Sequence, residues 1–242
     1  MQLGRFRISI PVAFLSALTL ALLLGLGFWQ LDRAEQKRRL LADYASRAGT
    51  EPVRLSGGVV LDASLRYQPA EASGRYDGAH QFLLDNKVYR GRAGYQVLTP
   101  LRLAGCDCAV LVNRGWVAQG RTRQDLPAIE VAAGERRVRG ILYFPPDEVF
   151  VLGEGEDRAP GWPKVLQRIR LDLQAGQLGY ALLPAILLLD PDAPDGYVRD
   201  WRPVVFGPER HVGYAVQWFS LAAALVILVT LAACRRSGDE GT

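Results

Sequence analysis

Ile8-Ser9-Ile10-Pro11-Val12-Ala13-Phe14-Leu15-Ser16-Ala17-Leu18-Thr19-Leu20-Ala21-Leu22-Leu23-Leu24-Gly25-Leu26-Gly27-Phe28 contains no charged residue. As a helix, a run of this length crosses about 30 Å of hydrocarbon. Arg5 and Arg7 precede it in the manner of a signal peptide. The apolar run is too long for a signal-peptide core, however, and no A-x-A-like cleavage site follows it, so it reads as an uncleaved anchor. Pro11 falls in the first turn, where a missing N–H costs least. Ala13, Ala17, Ala21 and Gly25 recur every fourth residue. Small residues at that spacing predict a face that a second helix approaches closely. Trp29 closes the run at the depth where indole rings favour the interface.

The second helix is predicted over residues 212–233, again without a charge. Tyr214, Trp218 and Phe219 crowd its start, and Arg235 and Arg236 close it, giving an aromatic belt at one edge and a basic anchor at the other. The expected division is a tail at 1–7, a first span at 8–29, a domain at 30–210, a second span at 211–233 and a tail at 234–242. Charge leaves the orientation open. Arg5, Arg7, Arg235 and Arg236 draw the termini to the cytoplasm, but Arg33, Lys37, Arg38 and Arg39 follow the first span on the domain side.

About 180 residues lie between the spans, which suits one domain. Residues 30–47 read as a helix leaving the membrane, with Leu31, Ala34, Leu40, Leu41 and Tyr44 near helical spacing. Strand signals follow at 67–76, ended by Asp77-Gly78, and at 95–103, 108–117 and 136–144. Residues 81–89, interrupted by Asp85-Asn86-Lys87, suggest a hairpin. The acidic, glycine-rich 153–161 reads as a loop and 167–171 as a short strand. Asp172 is expected to cap a helix near 173–178. The apolar run 185–189 reads as a buried strand. The expected class is an α+β membrane protein in which two transmembrane helices flank one mostly antiparallel β domain.

Composition narrows the function. The 29 Lys+Arg nearly balance 25 Asp+Glu and form no basic stripe, so no nucleic-acid partner is expected. There are two histidines, His80 and His211, and no G-x-S-x-G, P-loop or dinucleotide fingerprint, so no enzymatic activity is expected. Cys106 and Cys108 form a C-x-C. Thiolates could hold Cu(I), but the single methionine, Met1, leaves no thioether supply, and a pair beside a turn, sometimes oxidised, is the plainer reading. His211 opens the second span with Tyr214 and Trp218 on its helical face. Such a histidine could ligate a haem iron while the rings pack a porphyrin, or be a polar interfacial residue.

Three stretches together resemble the SURF1 family, assembly factors for cytochrome c oxidase. They are Gly27-Phe28-Trp29-Gln30-Leu31-Asp32-Arg33 against G-x-W-Q-x-x-R, Val112-Asn113-Arg114-Gly115-Trp116-Val117, and His211-Val212-Gly213-Tyr214-Ala215-Val216-Gln217-Trp218 against H-x-x-Y-A-x-x-W. The chain departs from the family pattern at Gln36, Ala118 and Glu209-Arg210, where a Trp, a Pro and an Asn-Asn pair are common.

The resemblance implies a domain facing the periplasm of a bacterial cell, with the spans in the inner membrane. It implies haem a as a transient cofactor, with His211 as the candidate iron ligand and Tyr214, Trp218 and Trp29 around it. Arg33, Arg114 and Arg210 are candidate partners for the haem propionates. Arg114 has a competing reading as part of a turn that Gly115 permits. The implied partners are cytochrome c oxidase subunit I, other oxidase assembly factors and the lipid bilayer. Two other readings compete: a structural chaperone of an oxidase subunit that binds no haem, and a two-span sensor, for which the tail after Cys234 offers little output module.

Overall fold

The computed structural model describes residues 9–47, 49–122, 125–146, 161–201 and 207–236. They fall into two compact units, one of Met1–Asp43 with Arg202–Thr242 and the other of Tyr44–Trp201. Arg5, Arg7 and residues 153–160 of the glycine-rich loop lie outside the described residues.

The first unit contains two long helices. Helix α1 spans Ile10–Arg47, so the apolar run and the charged stretch after it are one helix. Glu35 ties Arg39 at 3.0 Å and Arg38 at 3.5 Å along its charged part. The last helix, Pro208–Arg236, carries the second apolar run. Both are long and apolar enough to cross a membrane, and their apolar stretches are largely exposed, unlike the core helix of a soluble protein. The chain is accordingly a membrane protein.

The second unit is a mixed sheet. Its strands are β1 (Val53–Leu55), β2 (Pro69–Tyr76), β3 (Phe82–Tyr89), β4 (Arg92–Leu103), β5 (Cys108–Ala118), β6 (Glu135–Tyr143), β7 (Lys164–Leu166) and β8 (Ala181–Leu189), in the order β1-β2-β6-β8-β5-β4-β3-β7. The short helix α2 (Leu171–Leu178) precedes β8, and α3 denotes Pro208–Arg236. Neighbours pair antiparallel except β1 with β2, β3 with β7 and β5 with β8. The end of β2 also pairs with β4, Tyr76 against Leu101 and Gly74 against Leu103. That pairing closes β2, β6, β8, β5 and β4 into a ring. Closure brings the backbones together at Gly74, where a Cβ would stand 2.0 Å from the Arg102 carbonyl oxygen.

Alternation along the strands sorts the core. Ala70, Ala72, Leu101, Val110, Val112, Leu142, Leu183, Ala185, Leu187 and Leu189 belong to one buried cluster. Phe82, Leu84, Leu98, Leu111, Leu166 and Ile186 form another, with Leu171 and Leu178 of α2 packed against it. Strand β8 feeds both clusters, which is why its sequence is apolar throughout and lacks the polar alternation of a half-exposed strand.

Three local expectations are corrected. Residues 82–89 make one strand rather than a hairpin: Asn86, at φ 58°, sits in a bulge where the register with β4 shifts between Leu84 and Lys87. The hairpin turn comes at Arg90-Gly91, both with positive φ, as a tight two-residue turn requires. The short strand is Lys164–Leu166, where β3 offers a free edge, and not 167–171. Arg170, not Asp172, occupies the N-cap of α2; Asp172 lies inside the first turn, 3.0 Å from the Arg170 guanidinium.

Candidate functional site

Each of the three motifs has a definite place. The middle one lies on β5 and is structural. Arg114 is 2% exposed and belongs to the strand rather than to a turn. Its Nε donates to the Asp195 carbonyl at 2.7 Å and its Nη2 to the Glu130 carbonyl at 2.7 Å. Its Nη1 donates to Gln81 Oε1 at 3.2 Å and to Thr99 Oγ1 at 3.4 Å. The Tyr197 ring lies 5.0 Å from the guanidinium carbon. Such a buried guanidinium ties a loop to the sheet by charge-assisted hydrogen bonds and is no surface partner for a propionate. Gly115 next to it has φ 111°. The segment carrying Val198 closes over it, with Trp116 N–H donating to the Val198 carbonyl at 2.7 Å. A Cβ at Gly115 would come 2.7 Å from that oxygen.

Cys106 and Cys108, at the turn between β4 and β5, are joined in a disulfide. Among the described residues no three or more His, Cys, Asp or Glu side chains come together in a cluster that could hold a metal ion.

The first and third motifs meet in the helix unit. Gln30 Oε1 lies 2.8 Å from His211 Nδ1. Phe28 packs edge-on against Phe219, ring centres 5.3 Å apart. Gly27 lies against the same Phe219 ring. As α1 advances from Gly27 to Gln30, α3 runs back from Phe219 to His211, so the two helices are antiparallel here. The less exposed positions of α1 include Ser16, Leu20, Leu23, Gly27, Gln30 and Ala34, with Thr19 and Leu26 flanking them; those of α3 include His211, Ala215, Trp218, Ala222, Leu225 and Val229. Alternating steps of three and four are the spacing of a helix-pair seam. The expected small-residue face is therefore corrected. Ala13, Ala17, Ala21 and Gly25 are exposed, and nothing lies within 4 Å of a Cβ built on Gly25. They fall one turn-face away from the seam because a four-residue repeat drifts around the helix, whereas contact follows a period near 3.5.

The four residues singled out at the membrane edge divide. His211 and Trp218 lie on the seam side of α3. Tyr214 and Trp29 are turned outward, 40% and 49% exposed. Each has an arginine beside its ring: Arg210 stands 6.0 Å from Tyr214 and Arg33 5.7 Å from Trp29. Arg33 also donates to Gln36, which donates to Asp32. Sequence reasoning passed over Gln30. Its signal was its position, the first polar side chain after the apolar run and within the first motif.

The chemistry of the pair follows from its atoms. An amide oxygen only accepts hydrogen bonds, so the bond needs a proton on Nδ1, and in a neutral ring that tautomer would leave the lone pair on Nε2. His211 Nε2 has no hydrogen-bond partner among the described residues. Charged side chains resume at Asp32 and Arg33 on α1 and end at Arg210 on α3, so the pair stands where both helices pass from apolar to polar sequence.

The class these features define is a membrane protein with two apolar helices before and after a closed, β-rich domain, bearing a histidine held by an amide at the apolar boundary. The SURF1 family model matches residues 17–223, and the chain belongs to the SURF1 family. It is 25% identical over 230 residues to a SURF1-like protein of Monosiga brevicollis, covering 89% of this chain and 84% of that one. A SURF1-like protein of Drosophila melanogaster is 27% identical, covering 90% and 76%. Surfeit locus protein 1 of Mus musculus is 24% identical, covering 83% and 68%. The family model runs from within α1 to within α3 and takes in the whole domain between them.

Proposed function

We propose that this protein assists assembly of the haem-copper oxidase cytochrome c oxidase by handling haem a on its way into subunit I, without catalysing a reaction. The observation that carries this reading is the hydrogen bond from His211 Nδ1 to Gln30 Oε1, which joins two family motifs and leaves Nε2 as a nitrogen donor. A neutral imidazole whose other nitrogen is hydrogen-bonded is the usual form of a metal-ligating histidine, so the donor set fits a haem iron. His211 would hold the iron, Trp218, Tyr214 and Trp29 would pack the macrocycle, and Arg33 and Arg210 would meet the propionates. The apolar tail of haem a suits a position at the edge of the bilayer. In this reading the domain occupies the periplasmic side of a bacterial inner membrane, both termini are cytoplasmic, and the partners are subunit I and other oxidase assembly factors.

The test is the visible spectrum of the full chain purified in mild detergent from cells making haem a, with and without His211→Ala. Haem retained by the parent and lost by the variant is the expected result. A spectrum unchanged by the substitution removes His211 as ligand. A haem-free parent protein favours the second reading, a structural chaperone that holds an oxidase subunit through its helices. The exposed small-residue face at Ala13, Ala17, Ala21 and Gly25 is the feature that suits such a role. Reporters fused at each terminus test the topology; a periplasmic C-terminus contradicts it.

A further inference from the structure

We infer that Gln30 is the positioning residue of the His211 site: its amide oxygen fixes the imidazole as the Nδ1–H tautomer and so reserves Nε2 for an incoming iron. The inference rests on the haem reading above for its purpose, but its physical content concerns this chain alone.

A neutral histidine side chain in water favours the proton on Nε2. In that form the nitrogen away from Gln30 would be an N–H donor, with no lone pair to offer a metal. The 2.8 Å approach of Gln30 Oε1 to Nδ1 reverses the preference, because only an Nδ1–H can satisfy that oxygen. The effect is strongest where water is scarce, since an amide oxygen without a donor is costly there. Both side chains are half-buried on the seam of their helices. The seam itself is fixed one turn away, where Gly27 and Phe28 meet Phe219. Gln30 therefore reaches His211 from a helix whose register is already set, and the bond is made before any ligand arrives. A carboxylate in place of the amide would push the ring toward imidazolate and strengthen donation to iron.

The test uses the full chain in detergent micelles or nanodiscs, free of haem, with nitrogen-15 in its histidines, at a pH where both rings are neutral. His80→Asn assigns the two rings. The expected parent spectrum has His211 Nδ1 protonated and Nε2 bare. Gln30→Leu reverses the assignment, while Gln30→Glu, of equal shape and still an acceptor, preserves it. Circular dichroism and melting of each variant report that the helices have formed. A parent protein with Nε2 protonated overturns the inference, as does a tautomer that survives Gln30→Leu. In a second arm, haemin is titrated into the same samples. Gln30→Leu weakens binding about 10–100-fold, the range for loss of a residue behind a metal ligand, and Gln30→Glu retains binding with a lowered reduction potential. If the tautomer behaves as stated and the parent binds no haemin, the positioning role stands and the haem reading falls. If the parent binds haemin and Gln30→Leu binds it equally, the positioning role falls alone.

Discussion

Phe219 lies against the bare α-carbon of Gly27, and a Cβ on that glycine would come 2.5 Å from the ring edge. No side chain but hydrogen fits without a shift of one helix or a rotation of the ring. Gly27→Ala is expected to destabilise the helix pair by about 1–3 kcal/mol, the usual cost of overpacking. Gly27→Leu should separate the helices here and with them Gln30 and His211. The measurement is the melting of the full chain in detergent, combined with oxidative cross-linking of cysteines placed on facing positions of α1 and α3. Phe219→Ala in the Gly27→Ala background should recover much of the loss, and simple additivity of the two changes would rule out the contact as the cause.

Arg114 predicts a larger effect inside the β domain. Replacing it with Met strips the Asp195 carbonyl of its donor, leaves the Glu130 carbonyl only the longer bond from the Tyr197 hydroxyl at 3.4 Å, and unties Gln81 and Thr99 from the loop. An acceptor left without its partner costs about 1–3 kcal/mol, and with the second one weakened the domain should lose about 2 kcal/mol or more. Arg114→Lys should recover only part of this, since one ammonium cannot reach carbonyls on different sides as the planar fork does. Denaturant melts followed by tryptophan fluorescence would show it. A Met variant of parental stability would mean that the network contributes nothing to folding.

Gly115 carries the adjoining constraint. Gly115→Ala forces an L side chain to φ 111° and sets its Cβ against the Val198 carbonyl. A cost of about 1–3 kcal/mol is expected from the backbone alone. Because Trp116 donates to Val198, the strain should also loosen that closing segment, seen as faster amide exchange at Trp116 and Val198.

How much of this could be read beforehand depends on the range of the interaction. Both long helices, and the strands at β2, β4, β5 and β6, announce themselves through local periodicity, which needs no partner. The break at Asp85-Asn86-Lys87 misled because a bulge and a turn use the same residues; only the register with β4 separates them. The ring closure of β2 on β4 left no local mark beyond Gly74, a residue with many other uses. At the membrane edge, His211 was visible as a titratable group beside aromatics. Gln30 was not, because its role depends on the antiparallel pairing of helices 181 residues apart in sequence. Small residues at every fourth position pointed to the wrong face, because contact follows a period nearer 3.5.

A pH effect is expected from the group at the end of β2. His80 Nδ1 lies 2.8 Å from Asp77 Oδ2, and the Tyr180 hydroxyl donates to the same oxygen at 2.9 Å. Partial burial works to raise the Asp77 pKa, but the hydrogen bonds from His80 and Tyr180 outweigh it, and the carboxyl is held below its ordinary value. Tyr180 is pushed up, first by burial and then by its bond to Asp77. The two signs are opposite. A depressed carboxylate stabilises the fold above its unfolded pKa, near 4, and the contribution disappears as pH falls through the lower folded value. A raised tyrosine stabilises the fold below its unfolded pKa, near 10, and that contribution is lost as pH climbs through the higher folded value. Asp77→Asn should therefore flatten the acid side of the stability profile. It should also bring Tyr180 down toward the ordinary tyrosine range by removing the negative charge beside its hydroxyl. Carbon-13 resonances of labelled tyrosine, with Tyr180→Phe for assignment, would follow the second effect directly. A Tyr180 titration that does not move in Asp77→Asn would show that burial alone sets it.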